Sequence, residues 1–314
     1  MDYEDALRMK NNKLKKFLIN LYEKCYVWKM KYDDYCQKRR LGVPHIMTID
    51  ETLDYLYINK CSVSRYGDGE LKIACGSDIR FQKYDKKLSQ RICEILKSSS
   101  ENCLICLTDI FDDITWMMPK GYEYTWRIMS EYRREWTQLL DKNKLYGNAY
   151  ITRCYIDRRD KSKSEIWFKK LKRLWENEEV VFVEGEKSRL GYHNDLFSNA
   201  ASIQRILCPT QNAFSCYEEI LNEVKKLDNN KLILLALGPT ASVLAFDLSE
   251  IGYRALDIGH VDIEYEWFLR KETEKVKIEG KYTSEAPGGE EVDEEVDLEY
   301  KSQIICRIDC KAEE

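Results

Sequence analysis

The chain has 314 residues, of which 44% are hydrophobic and 33% are charged, and its formal net charge is −5. This balance is typical of a globular protein with one large domain or two, and it gives no indication of a nucleic-acid-binding protein. No run of 18 or more apolar residues predicts a membrane-spanning helix, and the charged start MDYEDALRMKNN is unlike a secretory signal, so we expect a cytoplasmic location.

Residues 1–45 are predicted to form a helical extension in front of the main domain. Its apolar residues recur at alternating spacings of four and three, the pattern of an amphipathic helix: Leu14, Leu18, Leu21, Cys25, Trp28 and Tyr32. Between Arg8 and Lys31 there are eight basic residues and one acid, Glu23. The pattern favours a helix that docks on the main body or pairs with a second copy in a homodimer. Peripheral contact with an anionic membrane, at the inner membrane face, is the alternative.

Residues 46–314 are predicted to form one α/β domain. Short apolar runs alternate with helical patterns, which predicts a mainly parallel sheet with helices on both faces. The predicted strands are SVSRYG, CLICL, NAYITR, EVVFVEG, IQRILCP, KLILLALG and YRALDIG, and QIICRIDC is a candidate closing strand. Cys103 and Cys106 form a C-x-x-C pair inside CLICL, but no second pair lies nearby in the sequence. We therefore interpret them as buried strand residues and not as zinc ligands.

Ligands of open α/β sheets bind at the carboxyl ends of the strands, and four predicted strand ends carry polar residues. The first is RYGDGE. Asp68 and Glu70 offer hard carboxylate oxygens that suit Mg²⁺ or Mn²⁺, and Arg65 offers a fork-shaped partner for a phosphate. Gly67 and Gly69 permit a tight turn. Alternatively, Asp68 caps the following helix and Glu70 interacts with the positive end of its dipole.

The second strand end is VVFVEGEKSRLG, in which a buried strand runs into Glu184 and Gly185. The glycine opens a turn, and Lys187 and Arg189 supply positive charge that suits a diphosphate. The segment lacks the spacing of a Walker loop, so nucleotide hydrolysis of that type is disfavoured. A solvated charged turn is the alternative interpretation.

The third strand end places Gly238, Pro239 and Thr240 between a strand and a helix. Proline is favoured at the first helical position, and the free amides that follow it can bind an anion. A single glycine falls far short of a dinucleotide-binding fingerprint, so the segment by itself is also explained as an ordinary strand-to-helix connection.

The fourth strand end, ALDIGHVDIEYEWF, concentrates four acids and a histidine within ten residues: Asp257, His260, Asp262, Glu264 and Glu266. The residues between them are too apolar for a fully solvated acidic face. Partly buried acids need partners or shifted pKa values, and this is how general bases and metal sites arise. The alternating pattern does not distinguish a strand from a helix.

Taken together in this order, the motifs resemble the GT-D type of glycosyltransferase, a bacterial family first grouped as a domain of unknown function. The resemblance covers residues 48–306 and rests on SRYGDGE, VVFVEGEKSRLG with the later NDLF, ILCPTQNAFSCYEEIL, and LALGPTASVLAFDLSEIGYRALDIGHVDIEYEWFL. It implies a Rossmann-like domain that binds a UDP-sugar, with a divalent metal held by a D-x-E motif.

The resemblance also implies a role for each strand end. Asp68 and Glu70 would hold Mn²⁺ or Mg²⁺ against the diphosphate of the donor. The residues expected to bind the UDP-sugar are Arg65, Gly67, Glu184, Gly185, Lys187, Arg189, Gly238, Pro239, Thr240 and His260. An inverting transfer needs a base that takes the proton of the acceptor hydroxyl, and Glu266 is the first candidate, narrowly ahead of Asp262 and Glu264.

The expected function is that of a metal-dependent hexosyltransferase. It would move glucose or galactose from a UDP-sugar to a glycan acceptor on a glycoprotein or on a lipid-linked polysaccharide precursor. Two other functions fit the same residues. One is a non-catalytic module that binds nucleotide sugars, and the other is a metal-dependent phosphohydrolase.

Overall fold

The computed structural model describes residues 13–292 and 297–309. Within these residues the helices are α1 (Lys13–Leu41), α2 (Ile49–Asn59), α3 (Asp68–Ala74), α4 (Lys86–Lys97), α5 (Pro119–Leu139), α6 (Ser164–Lys172), α7 (Tyr217–Val224), α8 (Pro239–Glu250), α9 (Val261–Arg270) and α10 (Leu298–Gln303). The strands are β1 (His45–Ile46), β2 (Ser62–Tyr66), β3 (Cys103–Leu107), β4 (Leu145–Asn148), β5 (Glu179–Gly185), β6 (Ser202–Cys208), β7 (Leu232–Ala236), β8 (Arg254–Asp257) and β9 (Ile304–Arg307). None of the described helices combines the length and the apolar character needed to cross a membrane.

The strands form one nine-stranded sheet in the order β1-β4-β3-β2-β8-β7-β5-β6-β9, and every pair runs parallel. The predicted parallel α/β architecture is therefore confirmed, and the candidate closing strand is β9, which pairs with β6. The predicted strand NAYITR is wrong in part. The Asn148 side chain accepts a hydrogen bond from the Tyr150 N–H, so the strand ends there and a 3₁₀ turn, Ala149–Thr152, begins.

The central strands are apolar along most of their length because helices cover the sheet. The four apolar residues of β5 from Val180 to Val183 are fully buried, as are the leucines and isoleucine of β7. Helices α7 and α8 pack on these strands through Ile220, Val224 and Leu244. A fully buried side chain of this size contributes about 1.5–3 kcal/mol, so this cluster is a large part of the stabilising energy. Cys103 and Cys106 are buried and free in β3, as predicted.

Two buried serines join helix α8 to strand β2. Ser64 Oγ donates to the carbonyl oxygen of Ser242 at 2.6 Å, and Ser242 Oγ donates to the carbonyl oxygen of Arg65 at 2.7 Å. Each hydroxyl satisfies a backbone carbonyl in the interior, where an unpaired one would be costly. The first turn of α8 is thereby fixed beside the carboxyl end of β2.

The chain separates into two compact units. The described part of the first comprises residues 13–43 and 110–138, and that of the second comprises residues 44–109, 139–292 and 297–309. The predicted extension thus forms one unit with a later segment, while the proposed division at residues 45 and 46 stays a prediction. All nine strands of the described sheet belong to the second unit.

Within the first unit, α1 packs on the 110–138 segment through one face. Arg133, which is 2% exposed, donates through Nε to Asp34 Oδ1 at 2.6 Å. Lys31 Nζ lies 5.6 Å from the centre of the Trp126 ring, and Lys38 forms an ion pair with Asp112. The residues predicted to form the apolar seam are not on this face. Of those whose side chains are described, Leu18, Leu21, Cys25, Trp28 and Tyr32 are all exposed.

Candidate active site

A cleft of about 110 Å³ lies at the carboxyl ends of β5, β7 and β8 in the second unit. Its lining includes Phe81, Gly185, Ser188, Pro209, Thr210, Gly238, Gly259, His260, Asp262, Tyr282 and Ser284. Three of the four strand ends selected from the sequence therefore meet in one place, as the carboxyl ends of parallel strands should. The remaining strand end, RYGDGE, reaches the same edge of the sheet through Arg65, since a Cβ at Gly259 would overlap the Arg65 guanidinium.

The segment before α8 is shaped by Gly238. Its backbone has φ +55° and ψ −139°, a conformation that only glycine adopts readily. A Cβ at this position would also lie 2.5 Å from the ring of Phe81. Pro239 follows as the first helical residue, as predicted from the sequence. The close packing of Phe81 on Gly238 brings an aromatic ring, which sequence reasoning missed, to the start of α8.

Two buried threonine hydroxyls lie near this helix start. Thr240 is fully buried, and neither its Oγ1 nor the buried Oγ1 of Thr210 has a hydrogen-bond partner among the described residues. Thr210 lines the cleft. A buried hydroxyl without a partner costs about 1–3 kcal/mol, so such groups commonly meet a ligand or a bound water.

Glu184 stabilises the turn that follows β5. This carboxylate is fully buried, forms an ion pair with Arg205 of β6, and accepts from the Leu190 N–H at 2.7 Å. Burial raises its pKa, although the Arg205 guanidinium opposes the rise. Glu184 thus fixes the turn, whereas Gly185 and Ser188 form the cleft wall.

The two basic residues of this turn contact the backbone of residues 280–282, Arg189 through its guanidinium and Lys187 through its carbonyl oxygen. Arg189, which has φ +50° and is 4% exposed, donates through Nη1 to the Gly280 carbonyl at 3.0 Å. The Lys187 carbonyl accepts from the Tyr282 N–H at 2.8 Å, and the Lys187 side chain is half-buried. The predicted role of both cations in phosphate binding stays a prediction.

The fourth strand end forms helix α9, and this separates its acids into two groups. Asp262 and Glu266 lie four residues apart on one face, where both contact Lys281, a lysine that is 1% exposed. Asp262 also accepts from the Gly191 N–H at 3.0 Å, and Asn194 Nδ2 donates to both carboxylates at 2.8 Å. Of the three candidate bases, Asp262 lines the cleft.

Glu266 is held in its ionised form. Burial acts against ionisation, but Lys281 and the Asn194 side chain outweigh it and lower the pKa of Glu266. Its Oε2 accepts from Arg270 Nη2 at 3.2 Å, near the surface. The carboxylate ranked first as a base from the sequence is therefore committed to three protein partners.

Glu264 occupies another face of α9. Its Oε2 accepts from the Tyr155 N–H at 2.9 Å and from the Ile156 N–H at 3.0 Å. Its Oε1 is buried without a partner among the described residues. Burial, followed by the charge of Asp157, raises the pKa of Glu264 to about 7.

His260 precedes α9 and lines the cleft beside a group of charges. Burial lowers its pKa to about 4, so the imidazole is neutral at pH 7. Its Nε2 lies 3.7 Å from Glu285 Oε1, and Glu285 also pairs with Arg153 and with Lys275. Sequence reasoning missed these three charged residues. Arg153 is the last residue of the predicted strand NAYITR, so that strand end was a usable signal. Lys275 and Glu285 lie in segments for which no strand end was predicted.

Arg65 is bound by protein acceptors. Its Nη2 donates to Asp257 Oδ1 at 2.7 Å, its Nε donates to the Asp257 carbonyl at 2.7 Å, and its Nη1 donates to Thr152 Oγ1 at 2.6 Å. Burial raises the pKa of Asp257, and the charge of Arg65 opposes that rise. Arg65 therefore fastens β2 to β8, and its predicted contact with a phosphate stays a prediction.

Asp68 and Glu70 occupy the first turn of α3, but the predicted cap by Asp68 is wrong: Gly67 is the N-cap and Asp68 is the first helical residue, while Glu70 caps the Gly67 N–H. The Gly67 N–H donates to Glu70 Oε2 at 2.7 Å, and Lys72 Nζ donates to Asp68 Oδ2 at 2.9 Å. Burial, followed by the charge of Asp257, raises the pKa of Glu70 to about 7. A nearby cation would favour the ionised form of this carboxyl.

The two carboxylates also fit a divalent cation. Mg²⁺ is commonly held by one or two carboxylates together with substrate phosphates, and Mn²⁺ prefers similar oxygen ligands. The Asp68 side chain is 43% exposed, and Glu70 uses Oε2 for the cap. In the described part of the chain, no group of three His, Cys, Asp or Glu side chains converges on one point. Phosphate oxygens would therefore have to complete the shell, and the cation would compete with Lys72 for Asp68.

The chain is similar to known glycosyltransferases. The family model described as the glycosyltransferase GT-D fold matches residues 63–286. A probable glycosyl transferase, Gly, of Streptococcus gordonii is 40% identical over 264 residues, which are 84% of this chain and 39% of that protein. The glycosyltransferase GlyD of Streptococcus pneumoniae is 39% identical over 276 residues, which are 86% of this chain and 33% of that protein. The chain thus spans less than half the length of these relatives.

Solved structures have the same fold. One, described as a new glycosyltransferase from Streptococcus sanguinis, superposes with a TM-score of 0.81 at 39% identity and covers 85% of this chain and 100% of its own. Another, described as a conserved domain of unknown function with a distinct glycosyltransferase fold, gives a TM-score of 0.83 at 41% identity, with 88% and 100% covered.

Proposed function

Because this chain belongs to the GT-D family of glycosyltransferases, we propose that it is a metal-dependent hexosyltransferase with a UDP-sugar as donor. The observation that carries the proposal is the meeting of three strand ends in one cleft: the turn after β5, the start of α8 and the start of α9. The proposed hexose is glucose or galactose. The proposed acceptor is a glycan on a glycoprotein or on a lipid-linked polysaccharide precursor.

The donor diphosphate is proposed to bind at the N-terminus of α8. A helix start presents free N–H groups and a positive dipole end to an anion. The hydroxyls of Thr210 and Thr240, which have no hydrogen-bond partner among the described residues, support this position, because each can donate a hydrogen bond to a phosphate oxygen. Of the two, Thr210 lines the cleft. Phe81, which packs on Gly238, offers an aromatic face to the uracil ring.

Asp68 and Glu70 are the proposed ligands of Mn²⁺ or Mg²⁺. Such an ion would neutralise the charge that develops on the departing UDP. The ionised form of Glu70 is the one that binds a metal, so its pKa of about 7 makes the predicted affinity increase with pH through neutrality.

Asp262 is the proposed proton acceptor for the hydroxyl of the acceptor. Asp262 and Glu266 both accept from Lys281 and Asn194, but of the two only Asp262 lines the cleft. Glu264 is buried against the 155–156 backbone. A base must lie within hydrogen-bond reach of the proton that it takes. This position favours Asp262 over Glu266, reversing the narrow ranking from the sequence.

The decisive experiment incubates the protein with a panel of UDP-sugars and Mn²⁺ or Mg²⁺, with and without glycan acceptors, and measures UDP release together with glycoside product. UDP release that an acceptor increases, with a matching glycoside, supports transfer. Donor cleavage that no acceptor increases, without a glycoside, identifies a phosphohydrolase. Metal-dependent UDP binding without turnover of any donor identifies a non-catalytic binding module.

A further inference from the structure

Helix α1 carries an exposed aromatic stripe, formed by Phe17, Leu21, Trp28, Tyr32 and Tyr35. These residues are spaced by four, seven, four and three positions, so they share one side of the helix. Their side chains are 48–71% exposed, with Trp28 the most exposed. The stripe lies about a quarter of a turn from the face that carries Asp34 and Lys38, which is the face packed on the 110–138 segment.

The chemistry of the stripe is that of a membrane interface. Tyrosine and tryptophan combine an apolar ring with a polar tip, and they concentrate where one end of a side chain is apolar and the other is hydrated. Trp28 and Tyr32 stack at 6.0 Å between ring centres, so they present one continuous aromatic surface. Monomeric proteins seldom expose contiguous apolar surface without a partner for it.

The charged residues around the stripe indicate which kind of surface it binds. The sequence of α1 holds nine basic residues and three acids, and one of those acids, Asp34, is paired with Arg133. By helical position, Lys24 borders the stripe on one side and Lys29 and Arg40 border it on the other, and all three are exposed. A basic border around an aromatic face attracts an anionic surface.

We propose that the aromatic stripe of α1 binds the surface of an anionic lipid bilayer, with the helix parallel to the membrane plane. The basic border would contact lipid headgroups while the aromatic rings enter the interfacial region. A second copy of the chain is a less favourable partner for the stripe. Pairing two such stripes would bring the basic borders of two helices together, with few acids to offset them.

The test is co-sedimentation of the full chain with vesicles of phosphatidylcholine alone and of phosphatidylcholine mixed with phosphatidylglycerol. Binding is expected to the anionic vesicles, and to weaken as salt increases from about 0.1 to 1 M. The double variant Trp28→Ser, Tyr32→Ser should bind these vesicles about tenfold more weakly or worse, because two interfacial side chains are lost. The double variant Lys24→Glu, Lys29→Glu should lose the preference for anionic lipid.

Two control variants make the same kinds of substitution at exposed positions outside α1. Ile58→Ser with Leu298→Ser removes two apolar side chains that are 75% and 84% exposed, and Lys86→Glu with Lys87→Glu reverses two exposed charges on α4. Both controls should bind as the wild type does. Equal binding of wild type and stripe variant, equal binding to both vesicle types, or no vesicle binding would each overturn the proposal. Light scattering that shows a dimer abolished by the stripe substitutions, without vesicle binding, would assign the stripe to a second copy.

Discussion

Asp262 and Glu266 share the ammonium group of Lys281, which lies 2.6 Å from Asp262 Oδ2 and 3.1 Å from Glu266 Oε1. Both carboxylates also accept from Asn194 Nδ2. The two acids therefore have closely similar partners but different positions, because Asp262 lines the cleft. This pair allows the structural role of a carboxylate to be separated from a catalytic one.

The first prediction compares Asp262→Asn with Glu266→Gln. Each variant leaves Lys281 with one carboxylate, so both should lose a similar stability, about 1–3 kcal/mol, in denaturant unfolding. Asp262→Asn should in addition lower kcat by about 100-fold or more, the usual contribution of a general base. Glu266→Gln should keep most of its activity. A larger loss of kcat in Glu266→Gln would assign the base to Glu266 instead.

The second prediction concerns the metal. Asp68→Asn and Glu70→Gln should each weaken Mn²⁺-dependent binding of UDP, measured by calorimetry. Loss of a group that merely orients a ligand typically weakens metal binding about 10–100-fold, so loss of a ligand should cost at least as much. The control is Glu165→Gln on α6, an exposed carboxylate paired with Lys169. Affinity that is unchanged in both site variants would refute the assignment of the metal to this turn.

The third prediction concerns the buried hydroxyl of Thr240, which has no hydrogen-bond partner among the described residues. Thr240→Val keeps the shape of the side chain and removes this buried hydroxyl, so stability should stay equal or rise by about 1 kcal/mol. UDP affinity should fall, since the donor to the phosphate is lost, and Thr240→Ser should retain it. If Thr240→Val is less stable and binds UDP normally, the hydroxyl serves the fold and not the donor.

The fourth prediction is a pH dependence that arises at Glu264. Its pKa rises from 4.5 to about 7 on folding, so the folded state binds more protons than the unfolded state between these values. Stability therefore falls as pH rises through this window, by roughly 3 kcal/mol at most for this group. Glu264→Gln should remove that component. Chemical denaturation of both proteins at several pH values between about 5 and 8 should show that their difference in stability changes with pH. A difference that stays constant would contradict the assignment.

The alternation of strands and helices was predictable because runs such as VVFV and LILLA are apolar without a period, as strands covered on both faces must be. The fate of HVDIEYEWF was not predictable from its pattern. Acids at every second position fit one face of a strand, yet the same residues in α9 place Asp262 and Glu266 together and Glu264 apart. The helical period produces this division. Lys281, which contacts Asp262 and Glu266, lies 15 residues beyond Glu266 in an irregular segment.

The site was predictable as a location and less so as a set of contacts. Strand-end reasoning brought Gly185, Gly238 and His260 to one cleft. It could not foresee that Arg65 is bound by Asp257, because that pairing depends on β2 and β8 being neighbours although 192 positions separate the two residues. Likewise, the spacing of the apolar residues correctly predicted helix α1, but it predicted the wrong packing face, because the apolar side of this helix is exposed. Polar contacts such as the one between Asp34 and Arg133 secure the other side.

Strand β9 has a consequence for any shortened version of the protein. It is added to β6 from about 100 positions further along the chain, and Gln303 beside it accepts from Arg205, the residue that neutralises Glu184. A chain cut before Leu298 would turn the seven-residue β6 into an open edge, which is a template for intermolecular pairing. It would also loosen the buried ion pair behind the cleft wall. A protein expressed without the residues from Leu298 onward is therefore expected to aggregate before any loss of catalytic activity can be measured.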